Sequence, residues 1–432
     1  VLPQYTSQRI CLKREREMEY QMSSYAGDGM SVKPQLLVVK GSFTAMGGAE
    51  RDILRNLPSL AQLFTIKVAT IGSVNELESL CKELEIPLIT PTKPWEIPTD
   101  PISIIRDTSM ESSLKSWKES DGINTAILES DMIHIISGDG SLSLIDLIPE
   151  SIPVHLHLLE PHRGLHEDVL HRRINGKPKS ILGLTKTLLS RARKRDINNI
   201  RQLSSREYSV ISGNSKYTVS RIKEIYNINA GLLWPSISSE EFPSETNEME
   251  KKVFTEITSP YVVNIGRASW AKGTWETISM LKNTGIAMAH VGGGEINDIK
   301  ELNKHAKSCN VEVWFAPRLP GNELSGLLRG ARASVSMAHG EPFGLTPIEA
   351  FSIGTPAIFV NEGGFLDTII DNENGKLISR SNLKFWSEAL EQASDKNLRT
   401  KWSEAGKERI ETLNLSCEKH ADRIYQIYKN IC

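Results

Sequence analysis

The sequence predicts an α/β protein built as two doubly wound, Rossmann-like domains, and three observations carry that prediction. Short apolar runs of strand length alternate with stretches of helical periodicity, the pattern of parallel strands joined by crossover helices. The alternation restarts once, after a stretch rich in Pro, Ser and Glu at 235–249. In each half a glycine-bearing loop follows the first strand directly, at Gly47-Gly48 and at Gly266.

Each element has its own justification. Residues 1–30 carry Lys13-Arg14-Glu15-Arg16-Glu17 where a secretion signal needs an apolar core, so they read as a solvated extension. The first domain is expected over 31–235. Its opening strand, 35–39, is almost wholly apolar, which suits a strand buried on both faces. Helical periodicity follows over about 49–60 and 75–84, with strands at 64–71, 132–136, 154–159 and 208–211. The second domain is expected over 236–415, with strands at 261–265, 287–291, 311–315, 333–336 and 356–360. A last helix over 416–428 brings Ile424 and Ile427 onto one face, with Ile431 beyond.

Composition excludes several classes. The 432 residues suffice for two ordinary domains, each able to bury a core. A net charge of −2 gives no global attraction to nucleic acid. The five cysteines are scattered with no C-x-x-C pair, so neither a zinc site nor a disulfide framework is indicated and they read as free thiols in a reducing cytoplasm. No apolar run approaches the roughly 20 residues of a membrane span. The 163–206 region is locally basic, and Ile181, Leu184, Leu188 and Ala192 share a helical face between its charges. Such a helix either lies on the anionic surface of a membrane or packs its leucines on its own domain.

The chemistry concentrates in three loops. In His339-Gly-Glu341-Pro-Phe343-Gly344-Leu345-Thr346-Pro-Ile-Glu349, two carboxylates stand eight positions apart across a helix start. Backbone N–H groups around Leu345 and Thr346 make a site for a diphosphate, and Glu349 then faces something neutral, such as ribose hydroxyls. In Gly266-Arg267-Ala-Ser-Trp-Ala-Lys272-Gly273 two cations five apart can converge on one dianion, Arg as a fork and Lys as a point charge. Gly47 and Gly48, opening the first helix, permit close backbone approach to a phosphate; the spacing is not that of a dinucleotide fingerprint.

Together these residues resemble the family-4 retaining glycosyltransferases of the GT-B fold, over about 36–377. The resembling pieces are Gly47 to Arg51, Gly266 to Gly273, Glu341 to Glu349, Gly354-Thr-Pro356, the Asn214-Ser-x-Tyr217-Thr218 segment, Gly292-Gly293-Gly294, Gly363-Gly364 and Asn374-Gly375. The resemblance implies two domains facing across a cleft, with the 416–432 helix crossing back to the first. It implies transfer of a sugar, with retention, from a nucleoside-diphosphate sugar to a hydroxyl acceptor that is a glycan, lipid-linked or small molecule. It implies no metal and no cofactor. By position, Arg267 and Lys272 would bind the diphosphate and Glu349 the ribose. Glu341 with the backbone of Phe343, Gly344 and Leu345 would hold the transferred sugar and its phosphate, Gly47 and Gly48 would close over the diphosphate, and 314–319 would frame the base. The chain departs from the family at Leu159, where relatives place a histidine; His157, on the same strand face, and His162 are the candidates to replace it. Two other readings share these residues: a nucleotide-sugar-binding subunit without its own activity, and a GT-B epimerase or phosphorylase. The expected location is cytoplasmic, with the basic region in reach of the inner face of a membrane.

Overall fold

The computed structural model describes residues 32–98, 108–238 and 257–432. The expected 1–30 extension and most of the 235–249 linker lie outside the described residues. The chain divides into two compact units, each assembled from separate stretches. One is Val1–Leu159 with Asn198–Ser212 and Cys417–Cys432; the other is Glu160–Ile197 with Gly213–Ser416.

In the first unit, β1 (Gln35–Lys40) is parallel to β2 (Thr65–Ala69) on one side and β4 (Met132–Ile136) on the other. Its apolar run is explained by that central place: Leu36, Leu37, Val38 and Val39 are all 1% exposed or less. The crossovers are α1 (Gly48–Leu63) and α2 (Asn75–Glu83), leading to the two-residue β3 (Leu88–Ile89). Next come α3 (Thr108–Lys118), α4 (Ile123–Glu129), β4, β5 (Val154–Leu158) and β6 (Ser209–Gly213). The strands lie in the order β3-β2-β1-β4-β5-β6. The order reverses between β1 and β4, so the loop after β1, with Gly47 and Gly48, leaves a topological switch point.

In the second unit, α5 (Arg163–His166), α6 (Leu182–Leu188), α7 (Ser190–Ser204), α8 (Lys216–Tyr226) and the two-residue β7 (Gly231–Leu232) precede the second sheet; α7 runs on beyond the unit's Ile197 limit. That sheet holds β8 (Tyr261–Ile265), β9 (Ala287–Val291), β10 (Val313–Ala316), β11 (Ser334–Ser336), β12 (Ala357–Val360) and β13 (Gly375–Ile378) in the order β10-β9-β8-β11-β12-β13, all parallel. Between the strands run α9 (Thr274–Met280), α10 (Ile296–Cys309), α11 (Gly321–Gly330), α12 (Leu345–Ile353) and the short α13 (Phe365–Thr368). Helices α14 (Leu383–Gln392) and α15 (Lys396–Leu413) follow, anchored by the buried Trp386 and Trp402.

The second unit claims 160–197 and 213–235, which sequence reading assigned to a domain over 31–235. Side chains explain the difference. Arg163 Nη2 donates to the His339 carbonyl at 2.5 Å, the Ser215 hydroxyl donates to the Pro342 carbonyl, and the Lys216 N–H donates to Asp367 Oδ2 at 2.8 Å. Partners so far apart in the chain leave no trace in local periodicity.

The last helix, α16 (Cys417–Ile431), belongs to the first unit and packs along α1. Ile424 is fully buried, and Tyr425 and Tyr428 meet the Phe64 ring edge-on at 5.5 and 5.9 Å. Ile424→Val is expected to destabilise the protein by about 1 kcal/mol through one lost methyl in a packed seam. An unchanged urea midpoint would mean that the helix is not packed as described.

Candidate active site

The site grows from two loops of the second unit. β8 and β11 are hydrogen-bonded neighbours, so the loops that follow them leave the same sheet edge side by side. This sets Lys272 against Glu341, with Nζ 2.8 and 2.7 Å from the two carboxylate oxygens. The side chains are 35% and 18% exposed, so the pair is open to a ligand yet partly shielded from water. Gly273 closes the first loop at φ +63°, and a Cβ there would lie 1.9 Å from the Met337 carbonyl oxygen. Only glycine lets the two loops approach this closely.

The Glu341 loop is braced from several directions. Arg380 donates to the Met337 and Ala338 carbonyls at 2.6 and 3.2 Å and pairs with Glu276 and Glu362 at 3.0 and 2.7 Å. His339 Nε2 stands 2.7 Å from Glu276, and its ring lies 4.9 Å from that of Trp270. Arg163 bonds the His339 carbonyl while its Nε donates to Glu167 at 2.9 Å. The Asn214 to Thr218 segment is a further brace, since Ser215 binds the Pro342 carbonyl and the Thr218 hydroxyl donates to Asn214 Oδ1 at 2.8 Å. Gly344, at φ +80°, turns the loop into α12; a Cβ there would meet the Phe365 ring at 2.5 Å. The first-turn N–H groups of α12, from Leu345 and Thr346 onward, have no partner inside the helix. Glu349 is buried a turn further on, and Phe343 is buried with its ring 5.6 Å from that of Trp234.

Arg267 takes a different place. Its side chain is 67% exposed and pairs with Glu295, so the two cations of the β8 loop hold different carboxylates. Trp314, on β10, and Leu319 pack half-buried against the Val263, Ala289 and Val291 cluster. In the first unit, the Gly47 N–H donates to Glu50 at 2.8 Å at the start of α1, Gly48 is the first residue of that helix, and Glu50 is held by the buried Lys40 at 3.2 Å.

His157 does not lie at a surface. It is 2% exposed on β5 and lines a cavity of about 20 Å³, room for a single water. The cavity is shared with His134, His420, Asp52 and Asn56. Residues two apart on a strand point the same way, so His155 and His157 stack beside His134 within the unit. Leu159 is half-buried with its N–H on Ser137 Oγ, and His162 is exposed at the start of α5.

Sequence reading missed Arg163, Glu276 and Arg380, whose partners lie far off in the chain. It also passed over Glu160. Burial pushes this carboxyl up to about 7, Arg163 pulls it down and Glu341 raises it again. Among the described residues no group of three or more His, Cys, Asp or Glu stands placed to hold a metal ion.

Residues 245–409 match the family described as glycosyl transferases group 1. The chain is 26% identical over 236 residues to an alpha-1,3/1,6-mannosyltransferase of Mus musculus, covering 49% of this chain and 56% of that protein. It is 27% identical over 140 residues to a D-inositol 3-phosphate glycosyltransferase of Xylanimonas cellulosilytica, covering 31% and 34%. The matched stretches thus span about half or less of these relatives. Among solved structures, sucrose-phosphate synthase from Thermosynechococcus elongatus superposes with a TM-score of 0.69 at 15% identity, covering 92% of this chain and 99% of that one. An Anabaena protein in complex with UDP and glucose superposes at 0.62 and 14% identity, covering 92% and 100%.

Proposed function

From a chain whose residues 245–409 match the group 1 glycosyl transferases and that has the GT-B fold, we propose a retaining, metal-independent transfer of a hexosyl group from a nucleoside-diphosphate sugar to a hydroxyl acceptor. The observation that carries this reading is Lys272 clamped on Glu341 beside the start of α12. Lys272 exchanges one carboxylate for the donor diphosphate, and Arg267 swings from Glu295 to the same anion. The α12 backbone from Phe343 to Leu345, with Thr346, takes the phosphate oxygens. Glu349 binds the ribose. Glu341, released from Lys272, accepts hydrogen bonds from hydroxyls of the transferred sugar. As the anomeric C–O bond breaks, negative charge grows on the diphosphate, and fixed cations and helix N–H groups stabilise it there.

Nucleoside diphosphates tested in excess EDTA are expected to raise thermal stability. A ligand at 100 times its dissociation constant adds about 2.7 kcal/mol. No shift with any nucleoside diphosphate would sink the donor site; a shift that appears only on adding magnesium or manganese would sink its metal independence. The buried His157 and the leucine at 159 favour a second reading, a binding subunit that does not catalyse. Stabilisation by a nucleotide sugar with neither hydrolysis nor transfer by the purified chain would select it.

A further inference from the structure

The stretch from Val169 to Arg195 carries nine Lys and Arg residues and no Asp or Glu, in a chain whose net charge is −2. Six of these cations, Arg173, Lys177, Lys179, Lys186, Arg191 and Lys194, are exposed. Between them the chain presents apolar side chains to water: Ile181 is 75% exposed, Leu184 55%, Leu188 43% and Leu170 43%. Ile181, Leu184 and Leu188 sit at helical spacing along α6 and its first flank, so they share one face. The sequence left open whether these residues pack on their own domain. In the structure that packing falls to Leu189 and Ala192, 6% and 4% exposed, and the α6 face is left outside. Two acids flank the stretch. Asp168 pairs with Lys186 at 3.0 Å and offsets one charge of the nine, while Asp196 is held by His166 at 2.7 Å.

We infer that α6 and its flanks dock on an anionic phospholipid membrane, the Ile181, Leu184 and Leu188 face entering the interface and the surrounding cations resting on lipid phosphates. Charge selects the occupant. A cationic rim around exposed leucines matches a surface that is anionic at its headgroups and apolar just beneath. Another copy of this chain would set this positive patch against itself. The inference does not depend on sugar transfer, because it concerns where the chain resides.

Co-sedimentation of the full chain with phosphatidylcholine vesicles, with and without phosphatidylglycerol, tests it. Binding is expected only to the phosphatidylglycerol vesicles and is expected to weaken as salt screens the cations. Replacing Ile181, Leu184 and Leu188 together by Ser is expected to reduce partitioning about tenfold or more at low salt, since three apolar side chains no longer enter the interface. All three are surface positions, and circular dichroism checks that the variant stays folded. Absence of binding to anionic vesicles overturns the inference. So does binding that the triple Ser variant retains in full, which would be adsorption by charge alone. Self-association of the wild type in sedimentation velocity that the same variant abolishes would assign the face to a second copy instead.

Discussion

Lys272→Ala is expected to lower turnover at saturating donor by about 10²–10³-fold while the protein stays folded. The side chain is 35% exposed and paired with Glu341, so the folded state loses an ion pair near the surface, a small cost. The transition state loses more, because charge on the leaving diphosphate peaks there. Arg267→Ala is expected to cost about 10²-fold or more by the same argument. Lys304→Ala serves as control: it removes a cation from an exposed pair, 75% accessible on α10, and should leave turnover unchanged. If folded Lys272→Ala keeps near wild-type turnover, the β8 loop does not hold the diphosphate, and the second unit loses its assignment as donor domain.

Stability is expected to fall steeply as pH drops below 6.5. Burial holds His134 and His155 well below the usual histidine range, each also repelled by neighbouring histidines. Burial likewise lowers His290 to about 4. Folded values therefore lie below the unfolded value of about 6.5. Between the two the unfolded chain binds more protons, so the contribution is full above 6.5 and is lost progressively as pH falls below it, down to about 4 for His290. Each histidine gives a slope of at most about 1.4 kcal/mol per pH unit, and the three together about 4. Urea midpoints at pH 7, 6 and 5 measure this. A midpoint that stays flat across that range would show that these rings are not held neutral by the fold.

Strands were legible in the sequence where they are central. The 261–265 and 287–291 runs appear as β8 and β9 with the expected bounds, because a strand covered on both faces is mostly apolar; the polar exceptions, Asn264 and His290, are buried against each other. Strands β3 and β13 escaped: Leu88–Ile89 is two residues long, and Gly375–Ile378 mixes Lys376 with apolar neighbours at a sheet edge. The proposed site was legible through loops that follow strands, since glycines and cations at fixed spacing are local signals. The braces were not. Arg163 reaches a carbonyl 176 positions away, and Arg380 ties together α9 and the loops after β11 and β12, contacts that only the tertiary fold creates. His157 shows the limit in the other direction. Its strand face could be read from alternation, but whether that face meets solvent depends on α16, which brings His420 against it.

The interleaving of the two units sets the order in which the molecule can be made. Synthesis runs from the amino terminus, and domains ordinarily close as they emerge. Here the strands of the first sheet emerge early, yet the helix that covers Phe64 and Ile53 follows the whole second unit in the chain. Until then the outer face of α1 has no apolar partner, and the nascent chain carries an open greasy seam through the whole of second-unit synthesis. Completion of the first unit is therefore a late event, and a ribosome that stalls within α15 releases a chain whose second sheet is formed while its first remains unsealed.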